Sequence, residues 1–446
     1  MSKAISPALA SGFRDYLPSN MIARQKMLET IRTVFERFGF LPLETPGIER
    51  LEVLTGGDPE FKKQIFGVNL LNSDRLDEQL ALRFDLTVPL ARVVALHSHD
   101  ISKPFKRYQV GNVWRGEKPQ AGRFCEFVQF DADIVGSDRP CADAEIISLM
   151  YTTLSELGIE HFVIKVNNRK ILNGLPSYVG FPKDKVSEVL RNIDKIDRLG
   201  WDNVAGELSD NVGLGAEQLQ KLRTFLDVQD NDHLVVIKNT KEIMSDSQDA
   251  LSGVEELAAI VNYVDTLGIP RDKWKIDLSV ARGLGYYTGP VFETTLLDLP
   301  SVGSVFSGGR YDDLVSRFGN DVVPATGASV GVDRLFYALS ELNLVPKVPT
   351  LTQAIVLNFD STAQTYCHEI LRKVREANIR SEIYLGKEKT LKAQLAYSIR
   401  TEIPFVLIAG ERECEQQTVQ VKNIREKKQS THKLSDFVVE LKKLIR

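Results

Sequence analysis

Two segments of the chain, residues 107–115 and 124–135, read as long β-strands, and the stretch between them, GEKPQAGR, is made of turn formers. This pattern predicts a long antiparallel hairpin with a mobile loop at its tip. Arg115 ends the first strand and Glu117 opens the loop. On the returning side, period-two alternation puts Arg123, Phe127, Gln129 and Asp133 near one face. A guanidinium binds phosphate oxygens bidentately and a phenyl ring stacks on a purine, so one sheet face can hold a nucleotide. A carboxylate and an amide further along can grip an ammonium or an imidazole. The alternative is a solvated strand face with ordinary cross-strand ion pairs.

The chain has 446 residues, enough for two or three domains. Met27, Ile31, Val34, Phe35 and Phe38 follow a helical period that stops at Gly39, giving an amphipathic helix expected to pack on a sheet. A short strand is expected at 40–44. Between about 167 and 270 the pattern turns helical, with breaks at Gly200, Gly206 and Gly213. Strands return at 275–280 and 291–297, and a glycine-rich stretch at 303–309 leads into a last helix at 331–342. After a linker at 346–349, strand and helix alternate (354–359, 362–377, 382–385, 390–401, 405–409), as in a small α/β domain with a largely parallel sheet. The expected division is a discontinuous α+β domain at 1–166 and 271–345, a helical insertion at 167–270, and the α/β domain at 350–446.

Three further clusters carry chemistry. In VARGLGYYTGPVFE, at 280–293, the glycines let backbone approach a ligand closely. Tyr286 and Tyr287 are expected on opposite faces, one in the core and one open to a substrate, unless both serve the core. SGGRYDDLV from Ser307 and GASVGVDR at 327–334 bring a glycine turn close to Arg334 near the start of a helix, which suits an anion. SGGR by itself matches neither a Walker A loop nor a dinucleotide fingerprint. In LRFDLTVPLAR, Asp85 and Thr87 would face the same way in a strand and hold an amino group, or one of them caps a helix. His97 and His99 have only Asp100 as a further nearby ligand, so no metal site is expected.

Hydrophobic residues make up 43% of the chain and charged residues 26%, a balance that excludes disordered and fibrous classes. No apolar run approaches the roughly 20 residues that span a bilayer, and residues 1–13 lack the apolar core of an export signal. With Cys125, Cys141, Cys367 and Cys414 scattered and no CxxC pair, the expectation is a cytoplasmic protein with free thiols. Residues 347–446 hold 18 basic and 12 acidic side chains, a net +6, against −10 for the rest. A basic appendage on an acidic body either meets a polyanion or is simply a solvated face.

Taken in order, these clusters resemble the three motifs of class II aminoacyl-tRNA synthetases and the two histidine-specific motifs of the histidyl-tRNA synthetase family. PLETPGIE is similar to motif 1, VWRGEKPQAGRFCEFVQFDADIVG to motif 2 and GVDRL to motif 3. ARGLGYYTG and SGGRYD are similar to the histidine-specific pair. The resemblance covers nearly the whole chain and implies the class II fold: an antiparallel sheet flanked by helices, a helical insertion and an anticodon-binding domain. It implies ATP, Mg²⁺, L-histidine and tRNA(His) as ligands, and a homodimer built through motif 1. By position, Arg115, Glu117, Arg123, Phe127 and Arg334 would bind ATP, with Arg115 also catalytic. Arg282 would stabilise the pentavalent α-phosphate. Asp85, Thr87, Gln129, Asp133, Tyr286 and Tyr287 would line the histidine pocket, and the loop at 118–122 would reach the tRNA acceptor end. Gly285 stands where many relatives have Asp, and Asp85 and Asp133 where many have Glu, which moves carboxylates by about a methylene. Regulatory relatives of the family that sense histidine without charging tRNA are the alternative, but they usually lack the C-terminal domain.

Overall fold

The computed structural model describes residues 5–56, 64–71, 79–118, 122–281, 285–319 and 321–445. They form two compact units, Met1–Arg14 with Met27–Val345, and Asp15–Lys26 with Pro346–Arg446.

Helix α1 (Pro18–Arg37) buries Met27, Ile31, Val34 and Phe35, the apolar stripe seen in sequence. Gly39 follows it at φ +79°, where a Cβ is disfavoured. Strand β1 (Leu41–Pro42) is only two residues long, and the Leu43 N–H still bonds Tyr108 O on the neighbouring strand. Strands β2 (Ile48–Arg50), β3 (Gly67–Val68) and β4 (Leu80–Leu82) make a small sheet ordered β2-β4-β3, and helix α2 (Thr87–Leu96) follows. Strands β5 (Phe105–Trp114) and β6 (Glu126–Val135) are the long hairpin, paired from Phe105–Val135 to Trp114–Glu126. Helix α3 (Pro140–Glu156) and β7 (Phe162–Asn168) come next. Helical segments then fill the chain from Arg169 to Thr266, ending in α4 (Gln248–Thr266). Strands β8 (Trp274–Ile276), β9 (Pro290–Leu296), β10 (Ser304–Arg310) and β11 (Ala325–Gly331) lead into helix α5 (Val332–Glu341).

Among the described residues the large sheet has eight strands, ordered β1-β5-β6-β11-β10-β9-β7-β8. It is antiparallel except for the edge pairs β1–β5 and β7–β8. On one face Phe35 meets Tyr108 and Phe130 edge-on, with centroids 6.4 and 4.9 Å apart. Burying each such ring contributes on the order of 2–3 kcal/mol. The other face of β5 and β6 is also buried but polar, carrying Arg107, Gln109, Gln129, Asp131 and Asp133.

The glycine-rich stretch, expected as a turn, is instead the central strand β10, and Ala325–Gly331 is its neighbour β11. Glycine weakens strand propensity, yet here the backbones must meet closely. A Cβ on Gly308 would lie 2.0 Å from Gly327 O.

In the second unit β12 (Ala354–Val356), helix α6 (Gln364–Glu376), β13 (Ser381–Ile383), helix α7 (Leu391–Arg400) and β14 (Phe405–Ile408) follow the expected alternation. Strands β15 (Thr418–Asn423) and β16 (Lys428–Lys433) add an antiparallel hairpin that alternation did not reveal. The sheet, β13-β12-β14-β15-β16, is therefore mixed. Helix α8 (Phe437–Ile445) closes the unit by burying Phe437 and Leu441.

Candidate active site

The polar face of the hairpin opens into a cleft. Its lining includes Arg115, Glu117, Arg123, Phe127, Gln129 and Arg334, so the six residues that sequence distributed over the hairpin and the last helix converge. Arg115 is held from two sides: its Nε donates to Phe84 O at 3.0 Å, and its guanidinium lies 5.2 Å from the Phe127 ring centroid. Arg334, in the first turn of α5, is aimed by a 2.6 Å bond from its guanidinium to Ser304 O. Three arginines, a phenyl ring and a helix N-terminus around one cleft suit a polyanion carrying an aromatic group.

Beyond Gln129, which lines this cleft, lies a buried acidic cluster. One row deeper on β6, Asp131 and Asp133 are buried, and Arg107, directly across the ladder from Asp133, pairs with it at 2.7 Å. The Tyr311 hydroxyl donates to Asp133 Oδ1. On the opposite wall Asp85 Oδ1 accepts the Val88 N–H at 3.1 Å while its Oδ2 accepts the Tyr286 hydroxyl at 3.2 Å. Burial raises the Asp85 carboxyl, the Val88 N–H and Arg115 pulling the other way. Burial likewise pushes Asp131 up to about 7, opposed by Arg107 and reinforced by Asp133. Asp133 is raised by burial against Arg107, and the Tyr286 and Tyr287 hydroxyls are raised by burial and neighbouring carboxylates. Three buried carboxyls around one fully buried arginine favour a cationic, donor-rich ligand. Among the described residues, Asp131 Oδ1 and Gln129 Oε1 are buried acceptors with no protein donor.

Glycines make this pocket possible. A Cβ on Gly327 would fall 2.1 Å from Asp133 Oδ1, and one on Gly309 would fall 2.9 Å from the Tyr287 ring. Neither position tolerates a side chain without moving its neighbour.

Some expectations change. Asp85 and Thr87 do not share a strand: β4 ends at Leu82, Thr87 opens α2, and Asp85 acts as a helix cap while still facing Tyr286. Tyr286 and Tyr287 do not take opposite faces. The chain turns there, and the two rings meet edge-on at 5.1 Å. Arg310 of SGGR is a structural anchor, its guanidinium 2.6 Å from Asp143. Arg282 and loop residues 119–121 lie outside the described residues. Sequence reasoning missed Arg107, Asp131 and Tyr311. Alternation from Gln129 and Asp133 already placed Asp131 on the same face, and the register would have added Arg107, whereas Tyr311 comes from a distant turn.

The profile of the histidyl-tRNA synthetase family matches residues 12–335, and that of an anticodon-binding domain matches 353–444. The chain is 42% identical over 439 residues to the histidine–tRNA ligase of Clostridium tetani, covering 97% of this chain and 98% of that one. It is also 42% identical to that of Wolinella succinogenes, over 94% of each. The crystal structure of histidyl-tRNA synthetase from Nostoc sp. PCC 7120 superposes with a TM-score of 0.85 at 32% identity, over 99% of this chain and 100% of that one. A Bacillus halodurans ATP phosphoribosyltransferase regulatory subunit/histidyl-tRNA synthetase, 23% identical with a TM-score of 0.72 over 89% of this chain and 97% of that one, shares the fold. The chain belongs to the histidyl-tRNA synthetase family.

Proposed function

We propose that this chain is a histidine–tRNA ligase that activates L-histidine with ATP and passes it to the 3′ end of tRNA(His). The observation that carries this reading is that Gln129, which lines the cationic cleft, stands on β6 one alternation from Asp131 in the buried acidic cluster walled by Tyr286 and Tyr287. Arg115, Glu117, Arg123, Phe127 and Arg334 bind ATP, the ring stacking on adenine and the guanidiniums holding phosphate oxygens. Asp85, Thr87, Gln129, Asp133, Tyr286 and Tyr287 hold the α-ammonium and imidazole. A pocket of hydrogen-bonding groups rejects amino acids that leave those groups unpaired far better than an apolar one does.

A histidine carboxylate oxygen attacks the α-phosphorus in line, the bond to the β-phosphate oxygen breaks, and pyrophosphate leaves. Arg115 and Arg282 stabilise the charge that builds at the α-phosphate. A ribose hydroxyl of the tRNA terminus then attacks the histidyl carbonyl and AMP departs. Among the described residues no group of three or more His, Cys, Asp or Glu is arranged to hold a metal. Glu117 would steady a Mg²⁺ that accompanies ATP. The chemistry a bound Mg²⁺ supplies is charge neutralisation at the departing pyrophosphate.

In this reading residues 1–166 and 271–345 catalyse, 167–270 form a helical insertion, and 350–446 bind the anticodon. Leu41 beside the PLETPGIE segment and Ile48 within it, exposed at 59% and 45%, support a homodimer through that segment. No helix among the described residues is long and apolar enough to cross a membrane, and we place the protein in the cytoplasm.

ATP–pyrophosphate exchange with each of the twenty amino acids tests the proposal. Exchange is expected with histidine alone, and Arg282→Ala is expected to lower it by roughly 100-fold or more. Histidine binding without exchange would overturn the ligase reading in favour of a histidine-sensing regulator.

A further inference from the structure

The amino-terminal segment ahead of α1 is built into the wall of the cleft. Gly12 O accepts the Cys125 N–H at 2.8 Å, at the loop end of the β5–β6 hairpin. Phe13 packs edge-on against Phe66 at 6.3 Å. Arg14 lays its guanidinium over the Phe124 ring, 4.1 Å from the centroid, and reaches Asp333 Oδ1 at 3.5 Å. Both Phe124 and Asp333 line the cleft, next in sequence to Arg123 and Arg334.

Asp333 poses an electrostatic problem for a cleft that takes a triphosphate. Its carboxylate is 3% exposed, in the first turn of α5 and adjacent to Arg334. A buried anion at that position repels phosphate oxygens unless it is neutralised. Asp333 Oδ2 accepts the Val128 N–H at 2.6 Å, which fixes the strand carrying Phe127 and Gln129. Its other oxygen faces Arg14.

We propose that Arg14 is a positioning residue for nucleotide binding. It cancels the Asp333 charge beside the phosphate subsite and clamps Phe124, so that the Arg123 end of the hairpin and the Arg334 end of α5 hold one geometry. This rests on the reading of the cleft as the ATP site. Phe124 and Asp333, which Arg14 meets, both line the cationic cleft, so its influence is directed at ATP.

The test is ATP–pyrophosphate exchange by the full-length protein, comparing wild type, Arg14→Ala, Arg14→Lys, Asp333→Asn and the Arg14→Ala/Asp333→Asn pair, with thermal unfolding of each. Arg14→Ala is expected to raise KM for ATP about tenfold while KM for histidine stays within about twofold. Arg14→Lys, which keeps the charge but loses the flat stacking surface, is expected between the two. Adding Asp333→Asn to Arg14→Ala is expected to cost less than the two single changes together, since the anion that Arg14 faces is then gone. An unchanged KM for ATP, or equal rises for both substrates with a lowered melting temperature, overturns the proposal. If Arg14→Ala does not fold, Arg14→Lys decides by the same KM comparison. Failure of the wild type to exchange at all would instead remove the ligase reading beneath it.

Discussion

Asp131 shows what burial does to a single side chain. It is 2% exposed, and its carboxyl holds its proton to about pH 7 against an ordinary value of 3.8. Below about pH 4 both the folded and unfolded chains keep that proton. As pH rises from about 4 to about 7 the unfolded chain has lost it and the folded chain has not, so this group makes the fold progressively less stable, and the loss levels off above pH 7. Asp131→Asn removes the titration. Its melting temperature relative to wild type is expected to improve by roughly 2–6 °C across that interval and then hold constant, as followed by thermal unfolding at stepped pH. A difference independent of pH would mean that Arg107 keeps Asp131 ionised throughout. Much of this site was legible at residue scale, since Arg115, Phe127, Gln129 and Arg334 were each marked by position in a strand or helix. Asp131 was readable from the alternation of Gln129 and Asp133 within its own strand, whereas the place of Arg107 depends on cross-strand register, which a single strand's pattern does not contain.

At the scale of elements, the long hairpin was legible because apolar alternation and turn chemistry agree there. Strands β10 and β11 were not, because SGGR and GASVG carry glycines in place of the β-branched residues that mark a strand. What fixes β10 is the buried cation at its end. Arg310 is 4% exposed, pairs with Asp143 of α3 at 2.6 Å, and donates to Ser137 O at 2.8 Å and Arg139 O at 3.3 Å. Arg310→Ala leaves Asp143 buried without its counter-ion, a loss of about 3–5 kcal/mol. Denaturant unfolding is expected to show the lowered midpoint. The Arg310→Ala/Asp143→Ala pair is expected to lose less than the two single changes added, because neither charge is then stranded. Strict additivity would mean the pair is solvated and not a buried anchor.

Across the whole molecule, charge is divided: residues 347–446 carry +6 and the rest −10. The strand–helix alternation of the second unit was readable, but its β15–β16 hairpin was not, since the residues of β16 are almost all exposed and lack an apolar face. That hairpin holds Lys427 in its turn, at φ +56°, and Lys428 and Lys433 at the ends of its outer strand, all three exposed. Lys428 has Glu426 at 3.1 Å, an exposed pair worth little in water. An edge strand with this many lysines resists pairing with other sheets, so its charge has a purpose even without RNA, and the two roles need separating. If the unit meets tRNA, replacing Lys427, Lys428 and Lys433 by Ala removes up to three phosphate contacts. KM for tRNA in aminoacylation is then expected to rise about tenfold, with the slope of log affinity against log salt falling by roughly 2. Histidine-dependent pyrophosphate exchange, which needs no tRNA, is expected to stay unchanged. If only the edge-protecting role holds, both tRNA parameters stay at their wild-type values while the triple variant self-associates, a result that light scattering would report directly.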